Sequence, residues 1–352
     1  MVKKTFLLLA VIVMFTKVAA QPVGFASVDG ITDGGRGENP VVVSSFEELK
    51  KVLKRGDTTR QTIYLKGHID VPGLFHVRDV QNKSIIGLSG SVLANDKYTL
   101  SKDSTGILAL ENCKNIILQN ITFKGPGAFD RDASDNLSMS HAEHIWVDHC
   151  DFQDGMDGNF DCNQGSDMLT VSWCRFRYLK QPWPKLEDDK NDDHNSDHRF
   201  SNLWGSSDRE GRISEGKLRT TFDHCWWDEG CRMRMPFVRF GQVHLLNCLY
   251  SSSVASVYIQ ARYKSNVLAD ACVFVNRSKD NKIFQTPFSS NPNYQDFNIR
   301  FRHCIGAADL EQRHGDAPYF NPPYRYAAEN ASFVESAVRK SAGATLHIVL
   351  KK

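Results

Sequence analysis

Three aspartates stand out as residues able to do chemistry: Asp135, and the pair Asp157 and Asp161 in the run Asp157-Gly-Asn-Phe-Asp161. Carboxylate oxygens are hard donors, the kind that hold Ca2+ in a loose shell completed by water. Four residues of extended chain cover about 13 Å, so Asp157 and Asp161 can share one ion only if the chain bends between them. Gly158-Asn159 is a turn pair that supplies the bend, although Asp-Gly-Asn also suits a plain surface turn that binds nothing. Downstream, Arg234-Met-Pro-Phe-Val-Arg239-Phe-Gly241 sets two arginines around a proline. Paired guanidinium groups recognise carboxylates or phosphates, whereas an isolated surface arginine more often sits in a salt bridge. Acids that can hold a cation, combined with arginines, describe a site for an anionic ligand.

Other acidic clusters carry less. Asp130-Arg-Asp132-Ala-Ser134-Asp135 starts like an EF-hand loop, but its sixth position is Asp135 where glycine is needed, and its twelfth is His141 where glutamate is needed. Asp192-Asp193-His194 and Asp197-His198 hold transition-metal donor types, yet they lie in a polar, charged run after Pro184 and read as a solvated loop. Asp148-His149 sits at a strand end, where a structural hydrogen bond is the expected role. A glycoside hydrolase would need two or three carboxylates at acid and base separations and no essential arginine.

The elements that must position these residues form an internal repeat. Segments 115–123, 144–152, 168–176, 218–227, 243–250, 267–274 and 297–305 each read as a short alternating strand. Each ends in a small residue followed closely by an aromatic or aliphatic one. The small residues are Asn120, Cys150, Cys174, Cys225, Cys248, Cys272 and Cys304, with Ser89 extending the series backwards. A unit of about 23 residues with longer insertions is the mark of a solenoid, and short strands without helical periodicity between them make it a parallel β-helix. Stacked coils put like on like, so six of the nine cysteines are expected as buried free thiols at one interior position. Capping boxes at Ser45-Phe-Glu-Glu48 and Ser332-Phe-Val-Glu335 predict helices that close the two open ends.

Lys3 and Lys4, an apolar stretch from Phe6 to Phe15 and Val18-Ala-Ala20 read as a secretory signal peptide over residues 1–20. Thr16 and Lys17 interrupt the run too early for a bilayer span. Export, to the periplasm or outside the cell, is therefore expected, with 21–352 as one domain. Lys+Arg 43 against Asp+Glu 41 leaves a net charge of +2, which argues against a nucleic-acid groove or a polybasic membrane patch. A capped solenoid needs no partner, so a monomer is expected.

In order and spacing, several motifs together resemble polysaccharide lyase family 1, the pectate lyases. They are Gly24-Phe-Ala-Ser-Val, Ile63-Tyr-Leu-Lys-Gly67, Ile145-Trp-Val-Asp-His149, Asp157-Gly-Asn-Phe-Asp161, Gly165-Ser-Asp-Met-Leu-Thr-Val-Ser172, Gly205-Ser-Ser-Asp208 and the Arg234–Gly241 run. The resemblance implies a right-handed parallel β-helix with a groove for polygalacturonate. It implies Ca2+ on Asp135, Asp157 and Asp161, Arg234 as catalytic base, and Arg239 orienting the base or binding a uronate carboxylate. Ala133, where some members carry a further acidic ligand, speaks against a second calcium. The family's substrate-binding lysine is displaced. Counting from Ser172 reaches Gln181 and counting back from Gly205 reaches Phe200, with an insertion over about 179–197 between the anchors. Arg199 is the first candidate replacement and Lys180 the second. The implied reaction is calcium-dependent β-elimination. The alternatives are a pectin lyase acting on methyl esters and a non-catalytic galacturonan-binding protein.

Overall fold

The computed structural model describes residues 21–99, 104–129, 133–184, 197–276, 282–286, 296–310, 315 and 318–350. The predicted signal peptide, Asp130 to Asp132 and Asp192 to His194 lie outside these residues. Strands fall into three parallel sheets of ten, eight and eight, and in each sheet spatial neighbours come from successive coils. One circuit runs through Glu143–Asp148, Asp151–Gln153 and Phe160–Asn163. The next repeats it with Asp167–Ser172 and Arg175–Arg177. This is the expected right-handed parallel β-helix.

Each segment read from sequence as one strand is in fact two strands joined by a sharp corner, except 297–305, where the strand Asn298–Arg302 is followed by a single bridge residue, Ile305. In the circuit above the corner is His149 and Cys150. The first has φ 47°, and its equivalents Asn120, Trp173, His224, Asn247, Ala271 and His303 have φ between 50° and 58°. A non-glycine residue in the left-handed region costs about 1–2 kcal/mol. The corner recurs because it turns the chain within two residues and sends the second side chain inward. Cys150, Cys174, Cys225, Cys248 and Cys272 are fully buried there. All nine cysteines are buried and free.

Register corrects the early end of this ladder. Gln119 pairs with Asp148, and Ile86 with Gln119. The interior counterparts of Cys150 are therefore Ile121 and Leu88, rather than Asn120 and Ser89. Asn120 matches the outward corner residue His149, and its amide holds Gly87 O at 2.9 Å and both polar groups of Leu346 at 2.9–3.0 Å.

Behind the second sheet the interior is an aromatic column. Phe123, Phe152, Phe176, Trp227, Tyr250 and Phe274 stack at centroid distances of 4.8, 5.2, 5.6, 4.6 and 4.6 Å. Alternate residues of the same strands face outward. Trp226, Leu249 and Val273 form a separate cluster with Ala331, Val334 and Val338 of the helix Ala331–Ser341.

That packing corrects the reading of the C-terminal helix as an end cap, because it covers the flank of the second sheet. Its N-cap is Asn330, accepting from Ser332 N at 3.1 Å, so Ser332 lies inside the helix. The chain then runs back across the corners, with Gly343 N on Trp173 O, Leu346 on Asn120 and Ile348 O receiving Ser89 N. The N-terminal helix Phe46–Val52 fits the capping expectation: Ser45 caps it, and Leu49 and Leu53 join the interior cluster.

His244, on the first-sheet strand Gln242–Leu246, is fully buried with Nδ1 2.8 Å from Tyr324 Oη. Burial pushes its pKa down to about 4 from an ordinary 6.5, against an upward pull from Asp270. The unfolded chain therefore takes up a proton that the native state refuses. This contribution to stability is whole above about pH 6.5 and is lost as pH falls toward about 4. Melting temperature should fall across that window, and His244→Gln should flatten the fall; an unchanged slope in the variant would contradict the assignment.

Candidate active site

The site lies along one edge of the third sheet, where successive coils deliver residues at one strand spacing, about 4.8 Å, per step. The strands in order are Leu137–Ser140, Phe160–Asn163, Leu203–Trp204, Phe237–Val238 and Val257–Ala261. Asp135 precedes the first, Asp157 and Asp161 belong to the second coil, residues 199–202 lead into the third, and Arg234 precedes the fourth. Residues 99 apart in sequence are thus three coils apart in space.

The bend between Asp157 and Asp161 is built as the sequence suggested. A Cβ on Gly155 would fall 1.9 Å from Gly158 O, which fixes a tight loop. Asn159, fully buried, accepts from Gly155 N and from Asn136 Nδ2, both at 3.2 Å. Asn136 also donates to Gln153 O at 2.8 Å, tying the two acid-bearing loops together. A Cβ on Gly158 would lie 2.6 Å from Asp135 Oδ1 and 3.4 Å from Asp161 Oδ1. The backbone at Gly158 is therefore a floor under both carboxylates.

Those carboxylates are buried, and Asp135 Oδ1 has no hydrogen-bond partner. Asp161 Oδ1 accepts from Leu203 N at 2.9 Å. Burial first, then Asp161 and Asp157, push Asp135 well above the usual carboxylate range. Burial and Asp157 push Asp161 up to about 7, while Arg234 draws both acids down. Like charges gathered out of water with one guanidinium nearby lack positive charge. Among the described residues no three His, Cys, Asp or Glu side chains already clasp a common point. Asp157 instead faces His198, whose Nε2 is 2.9 Å from its Oδ1. The all-oxygen donor set, the orphaned Asp135 Oδ1 and the glycine floor fit a hard divalent cation.

Arg234 has φ 59°, a left-handed conformation rare outside glycine. Phe200 pairs with Met233, but Leu203 pairs with Phe237, so the Arg234 coil holds one residue more than its neighbour. Such a bulge re-aims a side chain. The guanidinium carbon rests 4.5 Å from the Phe200 ring centre. A family model described as pectate lyase matches residues 4–346.

The chain belongs to the pectate lyase family. It is 30% identical over 242 residues to a pectate trisaccharide-lyase of Thermotoga maritima, covering 66% of this chain and 57% of that protein. It is 29% identical over 335 residues to a pectate trisaccharide-lyase of Bacillus licheniformis, covering 91% and 85%. A pectate lyase from Bacillus sp. N165, solved in complex with trigalacturonate, superposes with a TM-score of 0.69 at 19% identity over 92% of this chain and 98% of that one, a likeness of fold.

Against the pectate lyase pattern, the structure gathers Asp135, Asp157, Asp161 and Arg234, with Arg239 alongside. Arg239 donates to Asp208 Oδ1 at 2.7 Å and to Gly205 O at 2.8 Å, and lies 4.4 Å over Phe237. Burial lowers its pKa, against the pull of Asp208. Both proposed stand-ins for the family lysine are engaged elsewhere. Arg199 makes a two-pronged contact to Asp197 at 2.6 and 2.9 Å, and Lys180 Nζ donates to Gly125 O at 3.1 Å.

The insertion begins by doubling back over earlier coils. Trp183 N bonds Ala128 O, and the Trp183 ring packs with Phe129, Ala133 and Met156 and stacks on Tyr98 at 4.0 Å. This apolar cluster buttresses the loops that carry Asp135 and Asp157. Ala133 is buried in it. Trp204 and Trp227 are fully buried and Trp226 lies under the C-terminal helix. Asp148 is structural as expected, bonded to Ser172 Oγ at 2.6 Å, Gln119 Nε2 at 2.8 Å and His149 Nδ1 at 2.9 Å.

Sequence reasoning missed three site residues. His198, read as part of a solvated loop, is 7% exposed beside Asp157. Phe200 was reached by counting from Gly205 but only as a gap. Arg262 stands in register beyond Arg239, 5.2 Å over Phe237, with burial and Arg239 pushing its pKa down to about 10. Gly158→Ala would force a methyl group against Asp135 Oδ1. We expect it to abolish the rise in melting temperature that calcium gives the wild type while leaving the metal-free protein folded. An undiminished rise would remove Gly158 from the site.

Proposed function

We propose that this protein is an exported, calcium-dependent pectate lyase that cleaves polygalacturonate by β-elimination to give 4,5-unsaturated oligogalacturonides. The observation that carries the reading is the meeting of the buried Asp135 and Asp161 and the half-buried Asp157 with Arg234 across four successive coils. Asp135, Asp157 and Asp161 would hold Ca2+. Calcium held there would supply positive charge to stabilise the negative charge that develops beside the uronate carboxylate.

Arg234, held on Phe200 and two coils from Asp161, takes the proton from C5. The freed electron pair forms the C4–C5 double bond, the C4–O4 bond breaks, and the leaving oxygen takes a proton from water. Arg239, fixed by Asp208 and Gly205 O, adds positive charge beside the base and receives a substrate carboxylate. Three acids that demand a cation do not suit a fully esterified substrate, whose neutral ester gives a bound cation nothing to bridge.

Arginine is a weak base near pH 7, so the rate should climb from about pH 7 to about pH 9. Polygalacturonate with calcium should give absorbance near 235 nm from the unsaturated product, about a thousandfold slower in Arg234→Ala. The names of the Thermotoga and Bacillus relatives make an unsaturated trisaccharide the product to look for. Binding of the polymer with no absorbance, with or without calcium, would leave a galacturonan-binding protein in place of the enzyme.

A further inference from the structure

Three successive coils enter the first sheet through a residue in the left-handed conformation. Asn82, Asn115 and His144, with φ of 57°, 56° and 56°, stand in register at the starts of Gln81–Gly87, Lys114–Gln119 and Glu143–Asp148. The two asparagines are satisfied. Asn82 Nδ2 donates to Thr58 O and Asn115 Nδ2 to Asn82 Oδ1, both at 2.8 Å, and Asn115 Oδ1 accepts from Asp33 N and Gly34 N, both at 2.9 Å. His144 continues the row but not the bonding. It is 9% exposed, and among the described residues no hydrogen bond reaches its ring. A buried polar group left in that state points to water or a ligand as its partner. Burial holds its pKa below the ordinary 6.5, so near pH 7 one ring nitrogen donates and the other accepts.

The ring lines a cavity of about 250 Å³ together with Asp29, Gly30, Ile31, Gln81 and Lys114. Beyond its chain neighbours, a Cβ on Gly30 would meet only His144 Cε1 within 4 Å, at 3.8 Å, so the space between them is open. Charge around the cavity is balanced. Lys114 Nζ is 2.8 Å from Glu143 Oε2, so an anion would find that cation already paired and Asp29 repelling it. Among the described residues no cluster of metal-ligating side chains stands there either. What the lining offers is both senses of hydrogen bonding at once: Gln81 and His144 donate and accept, Asp29 accepts and Lys114 donates, with the exposed Ile31 as an apolar edge. Ring hydroxyl groups, each both donor and acceptor on a partly apolar frame, match that mixture.

We infer that this cavity is a second saccharide site, which takes a neutral sugar unit such as one on a branch of the galacturonan chain. That the polyol is a sugar rests on the lyase reading above. The cavity belongs to the first sheet and shares no residue with the third-sheet edge that carries Asp135 to Arg234, so it holds the enzyme on its polymer without taking part in elimination.

The test is saturation-transfer NMR with galactose, arabinose and galacturonic acid, on wild type, Asp29→Gly and His144→Asn. Asp29 has φ 53°, and glycine and asparagine both accept the left-handed backbone at the positions they would fill, so melting temperatures should stay close to wild type. Wild type should transfer magnetisation to a neutral sugar, with a shift of the His144 Hε1 resonance, and each variant should weaken that binding by about tenfold. Elimination on unbranched polygalacturonate should be the same in all three proteins.

No transfer to either neutral sugar, transfer undiminished in both variants, or galacturonic acid as the only ligand whose signal the variants weaken would overturn the inference while leaving the lyase reading intact. No unsaturated product from polygalacturonate would overturn the lyase reading, with the binding data still deciding the site.

Discussion

Backbone hydrogen bonding between coils, at about 4.8 Å per step, is the constraint from which both core and site follow. Each coil must lie in register on the last, so a side chain at one position meets its counterparts above and below. The interior cysteines, the aromatic column from Phe123 to Phe274 and the row of corner residues from Asn120 to His303 are three consequences of that rule. The fourth is chemical. Loops entering the third sheet are released from the two-residue corner geometry, and there the same register carries Asp135, Asp157, Asp161 and Arg234 to one edge.

What the register brings together is not comfortable by itself. Buried carboxylates raise one another's pKa, Asp135 keeps an oxygen without a partner, and Arg234 holds a backbone conformation that most residues avoid. Strain of this kind persists only where the surroundings over-determine it. Here those surroundings are Asn136 and Asn159 between the acid loops, the apolar packing of Trp183 against Met156 and Ala133, and Phe200 beneath the guanidinium. Trp183, at the start of the insertion that displaces the expected lysine, thus supports the acid loops from behind.

The repeat was legible because inward-facing residues at the first corner are cysteines, and few other residues recur so plainly. It was legible only in part. Asn120 falls one residue before the interior position and Ser89 one residue after it, since asparagine at a left-handed corner and a small residue in the core look alike in sequence. The third sheet went unread because strands such as Leu203–Trp204 and Phe237–Val238 are two residues long and follow loops of unequal length. The three acids and Arg234 were readable from residue type and motif. His198 and Phe200 were not, because their roles come from the coil beside them: Asp157 on one side and Arg234 on the other. The C-terminal helix failed as a cap for a related reason. Its apolar stripe was plain, but nothing in a stripe says whether it meets the open end of a solenoid or the outward side chains of Trp226, Leu249 and Val273.

The central claim is that one uronate is held between a cation on the three aspartates and the guanidinium of Arg234. It is tested most directly by a crystal structure of the Arg234→Lys variant with calcium and an oligogalacturonate. The account predicts a calcium ion bounded by carboxylate oxygens of Asp135, Asp157 and Asp161 and by a uronate carboxylate. The C5 hydrogen of that sugar should point at residue 234, with the ring across from Phe200. Calcium bound away from the three aspartates, or a sugar whose C5 hydrogen faces away from residue 234, would contradict it.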